Sequence, residues 1–106
     1  MSPSDLLKLP DAVLRAALET ELALFESLAD GGLDLESLRI RFLEILSERK
    51  VARPVYSRTT WSLDDYVQEY IEERAIAEND GILTLTPSGK SKLAVLQQEA
   101  KAAGFR

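Results

Sequence analysis

No cysteine and no histidine occur among the 106 residues. Disulfides, thiolate chemistry and the usual zinc ligands are therefore absent, and so is any nucleophile activated by histidine. No apolar run approaches the roughly 20 residues that cross a bilayer. The N-terminal Met1-Ser-Pro-Ser-Asp5 lacks the basic and then apolar pattern of a signal peptide. The expectation is a cytoplasmic protein without a membrane partner. The chain also lacks an internal repeat, a low-complexity tract and an interdomain linker. What remains is an ordinary globular composition, 45% apolar and 29% charged. Its length fits one domain, residues 1–106, with a single modest core.

The net charge of −5 argues against indiscriminate binding to nucleic acid, but its distribution matters more than its sum. Residues 1–48 carry ten acids and four bases, whereas Arg49–Trp61 carries four bases and no acid. Residues 62–86 then carry seven acids and one base, and residues 87–106 carry four bases and one acid. Charge is thus arranged in blocks.

Helical periodicity dominates the N-terminal half. Leu14, Ala17, Leu18, Leu22 and Phe25 keep the three-and-four spacing of a helix with one buried face, and Gly31-Gly32 stops it, giving a first helix over about 11–29. Ser4–Leu9 reads as a short preceding turn, because Pro10 disfavours a helical Leu9. Asp34 is the N-cap of a second helix over about 34–48, with Leu35, Leu38, Phe42, Ile45 and Leu46 inward. Ile40 and Leu43 lie off that stripe, so the second helix needs cover on another side, from the N-terminal helix or from a second subunit. The expectation is pairing into a homodimer.

Val51–Thr60 breaks the period, and Pro54, Val55 and Tyr56 favour an extended connection. Ser62-Leu-Asp-Asp65 fits a capping box opening a third helix over about 62–74, whose buried stripe is Leu63, Tyr66, Val67, Tyr70 and Ile71. Near Ala75 the period changes to that of a strand. Asn79-Asp80-Gly81 supplies residues that tolerate left-handed backbone, as a short hairpin needs, and Leu83 and Leu85 alternate with Thr84 and Thr86. The hairpin spans about 75–86. Thr86-Pro87 opens a last helix over about 87–103, with a hydroxyl at the N-cap and proline in the first turn, and with Leu93, Leu96 and Ala100 on one face. The fold class is mainly α with a small β-hairpin.

This order of elements, with a leucine-rich first helix and the turn Leu85-Thr-Pro-Ser-Gly89, resembles small winged helix-turn-helix regulators. Arg53-Pro-Val-Tyr56, Arg58 and Trp61 before the third helix narrow the resemblance to the N-terminal winged-helix domain of Mrr-type restriction proteins, over roughly Arg53–Gly89. Two features depart from that pattern. The aromatic after the tryptophan is displaced to Tyr66, and the common Ala-Gly before the wing is replaced by Arg74-Ala75. The resemblance implies a DNA-binding regulator. It brings no cleavage chemistry, since nothing in these residues corresponds to a nuclease domain.

Chemistry of other kinds finds little footing. Gly89-Lys90-Ser91 looks like the end of a phosphate-binding loop, but that motif requires a glycine where this chain has Thr84. Asp64, Asp65, Glu69, Glu72 and Glu73 project from the exposed side of the third helix without a histidine or glycine-rich loop to make them acid–base or metal-binding groups. The sequence therefore predicts no enzyme activity and no cofactor.

Two surfaces compete as binding sites. In DNA-reading winged helices the third helix enters the major groove. Here Gln68 is its only base reader, and the wing tip Glu78-Asn-Asp-Gly81 is acidic too. Against this stands the preceding connection. Arg49, Lys50, Arg53 and Arg58, with hydroxyls from Ser57, Thr59, Thr60 and Ser62, place donors near a helix N-terminus that itself favours phosphate. Either these bases seat the domain on a DNA backbone, or they pair with acids of the first and third helices. Trp61 and Tyr56 fit the role of staples that hold the connection to the core better than that of base-stacking platforms. The alternative site is the acidic face itself, Asp65, Glu69, Glu72 and Glu73, which would bind a basic protein partner or imitate the charge of DNA.

Overall fold

The computed structural model describes residues 11–56 and 62–105; the expected turn at Ser4–Leu9 and the stretch Ser57–Trp61 lie outside them. Within the described residues the chain is mainly helical with a small three-stranded antiparallel sheet. The order is α1 (Asp11–Ser27), β1 (Leu33–Asp34), α2 (Leu35–Glu48), α3 (Leu63–Glu72), β2 (Ile76–Asn79), β3 (Ile82–Leu85) and α4 (Pro87–Ala102).

Helix α1 packs against both α2 and α4. Its second half is consequently buried at consecutive positions, Leu22, Ala23, Leu24 and Phe25, and not along one stripe. Leu14, Ala17 and Leu18, expected inward, are only half-buried. A helix apolar on several sides is one covered from several sides. The helix ends at Ser27, short of the expected 29, because Leu28 N–H bonds Phe25 O at 3.1 Å and Ala29 N–H bonds Glu26 O at 3.2 Å, the tighter turn that commonly closes a helix. Two buried hydroxyls in α1 are satisfied locally: Thr20 donates to Ala16 O and Ser27 to Ala23 O, each at 2.6 Å.

Three helices open as their caps dictate. Asp34 accepts from Ser37 N–H at 3.0 Å, Ser62 from Asp65 N–H at 3.1 Å, and Thr86 from Gly89 N–H at 3.0 Å. The inward stripe of α2 is Leu38, Phe42, Ile45 and Leu46, and that of α3 is Leu63, Tyr66, Val67 and Tyr70. Helices α2, α3 and α4 also close alike, with a left-handed residue after the cap: Lys50 (φ 59°), Arg74 (φ 63°) and Gly104 (φ 81°). The following amide then reaches back to the last turn, Val51 N–H to Leu46 O, Ala75 N–H to Tyr70 O and Phe105 N–H to Ala100 O, each at 2.9 Å.

The hairpin turns on Asp80 (φ 52°) and Gly81 (φ 80°), a two-residue loop whose twist suits the flanking strands. Asn79 pairs with Ile82, Glu78 with Leu83, Ala77 with Thr84 and Ile76 with Leu85, which buries Ile76, Leu83 and Leu85. The hairpin is not alone: Leu33 pairs with Leu83 and Asp34 with Ile82, so β3 is the central strand. Asp34 thus ends a strand and caps a helix at once. Gly89 sits where the first turn of α4 meets the turn between α3 and β2, and a Cβ there would lie 2.0 Å from Ala75 O.

Candidate functional site

The basic connection begins as a structural fixture. Arg49 is the C-cap of α2, and its carbonyl accepts a hydrogen bond from the Arg15 guanidinium. Its own Nε lies 3.7 Å from Oε2 of Glu19, a carboxylate 1% exposed within α1. A carboxylate withdrawn from water needs compensating charge or hydrogen bonds, and Arg49, itself 42% exposed, supplies part of it. Farther along, Val55 N–H donates to Thr20 Oγ at 2.9 Å. The Tyr56 ring stacks on Phe42, with centroids 6.4 Å apart, and meets Tyr66 edge-on at 5.3 Å. An aromatic row continues through Tyr66–Tyr70 and Tyr70–Phe25, at 5.1 and 4.8 Å, the edge-to-face spacing such rings prefer. Tyr56 therefore holds the connection to the core, as expected of it. Burial pushes its hydroxyl above the usual tyrosine range, partly offset by the charge of Arg39.

Of the remaining donors, Lys50 and Arg53 are exposed. Arg58, Thr59, Thr60 and Trp61 lie outside the described residues. Ser62 is spent on the helix: its hydroxyl accepts from Asp65 N–H and donates to Asp65 Oδ2 at 2.9 Å. Arg39, which sequence reasoning passed over, stands beside the start of α3 and pairs with Asp64 at 2.6 Å. It lies on the preceding helix, 25 residues away, and nothing local in the sequence links the two. Both partners are about half exposed, and such pairs are worth about 0–1 kcal/mol.

On α3 itself, Asp65, Gln68 and Glu72 are exposed at helical three-and-four spacing, on the side away from Tyr66, Val67 and Tyr70. Glu69, expected with them, is half-buried, and Glu73 is the C-cap. Asp64 and Asp65 occupy the first turn, where negative charge complements the helix dipole. Glu78 and Asp80 are likewise exposed at the hairpin, as is Arg74 between helix and hairpin.

Other candidate chemistry is accounted for by structure. Among the described residues no group of three or more acids could hold a metal ion. Gly89 is buried in the first turn of α4, and Lys90 N–H bonds Thr86 O at 2.9 Å as an ordinary helical amide, so this turn is not a phosphate-binding loop. A polar group not foreseen from sequence joins three helices. The Tyr70 hydroxyl donates to the Glu21 carboxylate, while Lys92 Nζ lies 3.5 Å from Glu21 and 5.5 Å above the Tyr70 ring. Burial, then the neighbouring Tyr66 and the bond to Glu21, push the Tyr70 hydroxyl far above the usual tyrosine range. The group ties α1, α3 and α4 together.

No helix among the described residues is long and apolar enough to cross a membrane. Comparison with family models, curated proteins and solved structures gave no match.

Proposed function

We propose that this chain is a winged-helix protein that works by binding, not by catalysis, and that its acidic α3 and wing tip dock a basic protein surface. The fold reading is supported by the order of helix, short strand, helix, helix, two-stranded hairpin and helix, with the short strand laid on the hairpin. The observation that carries the functional reading is the face of α3, where Asp65, Gln68 and Glu72 are exposed, with Glu78 and Asp80 also exposed on the hairpin. A surface of that sign repels a polyanion and attracts a polycation, and the force grows as either approaches within a Debye length of about 8–10 Å.

A second reading keeps DNA as the ligand. Lys50 and Arg53 are exposed on the connection that leads toward the N-terminus of α3, and with Arg58, Thr59 and Thr60 they would contact phosphates while α3 reads little. Arg49, though 42% exposed, is shared with Glu19 at 3.7 Å, so one of the four bases this reading needs is partly engaged within the protein, which favours the first. Binding of a lysine- and arginine-rich peptide and of random duplex DNA, each measured at about 50 and 200 mM salt, separates them. Peptide binding without duplex binding supports the protein-docking reading. Duplex binding that weakens steeply with salt supports the other.

A further inference from the structure

The hollow beside the turn that follows α1 differs from its neighbours in how its charges stand. Of about 260 Å³, it is lined by Asp30 and Gly32 from that turn, Thr84 and Leu85 from β3, and Lys90 from the first turn of α4. Asp30 and Lys90 are both exposed. Among the described residues neither side chain has an ion-pair or hydrogen-bond partner, and the two do not pair with each other. Opposite charges thus share one hollow across a gap.

The adjoining hollow shows the contrast. Of about 280 Å³, it is lined by Arg41 and Arg49 among others, but Arg41 pairs with Glu44 and Glu48 at 3.2 and 3.6 Å, and Arg49 with Glu19. Its charge is already answered within the protein. The Asp30–Lys90 hollow is also held in place by packing, since a Cβ at Gly32 would lie 2.6 Å from Ile82 Cγ2 and 2.9 Å from Thr84 Cγ2, which seats the turn directly on β3. Leu28 and Leu85 line it with carbon. Its volume falls below the roughly 300–1,000 Å³ of sites for drug-sized ligands, so its occupant is small. A molecule carrying both an ammonium and a carboxylate meets both charges at once, with an apolar remainder against the leucines. A ligand of one charge leaves Asp30 or Lys90 unanswered.

We propose that this hollow binds a small apolar α-amino acid, its ammonium on Asp30 and its carboxylate on Lys90. It shares no residue with the α3 face or with the basic connection, so it stands whatever those surfaces bind.

The test is a titration of the full chain at constant pH, followed by amide chemical shifts, with L-valine, N-acetyl-L-valine and L-valine methyl ester, each taken to tens of millimolar. The two blocked ligands each lack one charge. Valine is expected to give saturable shifts at Gly31, Gly32 and Lys90, and each blocked ligand to bind about twofold to fivefold more weakly, the scale of one exposed ion pair. Asp30→Asn is expected to erase the preference for valine over its N-acetyl form while keeping the preference over the ester, and Lys90→Gln to do the converse. Lys101→Gln, at an exposed position in the last turn of α4, is expected to change neither. Both substituted positions in the hollow are exposed, so amide shifts elsewhere are expected to match wild type and certify the fold. No saturable shift with valine would overturn the proposal. So would equal affinity for the blocked ligands, or variants that keep the wild-type preferences.

Discussion

Replacing Gly89 by alanine sets two effects of opposite sign against each other. Position 89 lies in the first turn of α4, where helix propensity alone favours alanine over glycine by about 1 kcal/mol. The new Cβ would, however, stand 2.0 Å from Ala75 O, 3.0 Å from Ala75 C and 3.2 Å from Leu85 Cδ2. The nearest obstacle is backbone. It is the same carbonyl that accepts the Thr86 N–H at 3.1 Å, so moving it also disturbs the junction of hairpin and helix. Overpacking of a tight site costs about 1–3 kcal/mol, and an immovable neighbour puts this one at the upper end. Weakening the Thr86 bond adds about 1 kcal/mol. The net expectation is a loss of about 2–3 kcal/mol, which for a domain of this size lowers the melting temperature by roughly 10–20 °C. Thermal and urea unfolding of Gly89→Ala beside wild type measure it, with a lower urea midpoint and an unchanged slope as the expected pattern. A variant that melts at or above wild type would show that propensity outweighs packing and would refute the close approach of α4 to Ala75.

Leu83, 2% exposed on the central strand, should not tolerate aspartate: an unpaired charge beneath the sheet costs about 3–5 kcal/mol, and a native melt of Leu83→Asp would mean the strand register is wrong. Arg74→Gly should stabilise by about 0.5–1 kcal/mol, because an exposed non-glycine residue at φ 63° bears a steric cost that glycine escapes; an unchanged or lower urea midpoint would contradict that backbone conformation. Tyr70, whose hydroxyl is held neutral by burial, binds its proton more tightly folded than unfolded. Its contribution is complete below the ordinary tyrosine range near pH 10 and declines as pH rises above it; Tyr70→Phe should shed that part of the alkaline decline, and an identical pH profile would oppose this.

Much of the architecture was legible because it rests on local rules. Asp34, Ser62 and Thr86 each announce a helix by a side chain that accepts an amide two or three residues on, and each does so here. The alternation of Leu83 and Leu85 with Thr84 fixed a face, and Asp80-Gly81 fixed the turn. What escaped depends on distant partners. A two-residue strand at Leu33–Asp34 is too short to show a period, and its signal was absorbed by Asp34 as a cap. Glu19 and Thr20 acquire their partners only when the connection is laid along α1, bringing Arg49 to one and Val55 to the other. Gly89 and the left-handed Lys50 and Arg74 follow from how helices end and from what packs on the first turn of α4, which spacing alone does not reveal. The site was legible as a pattern of charge: Arg49 on Glu19 meets one of the two alternatives open for the basic connection, and Ser62 on Asp65 is the capping box, whereas Asp64 spent on Arg39 was not foreseen.

That spending also decides how the acidic face should be tested. Asp65 is held by Ser62 and Glu69 is half-buried, so changing either confounds binding with folding. Gln68, Glu72 and Glu78 are exposed, and lysine at all three reverses the sign of the surface. The decisive measurement is the affinity of this triple variant, at matched thermal stability, for the lysine- and arginine-rich peptide and for random duplex DNA. With surface pairs worth up to about 1 kcal/mol each, docking of a basic partner through α3 and the hairpin predicts peptide binding weakened roughly tenfold to a hundredfold. Unchanged peptide affinity, or a wild type that binds the duplex and a variant that binds it more tightly, would contradict it.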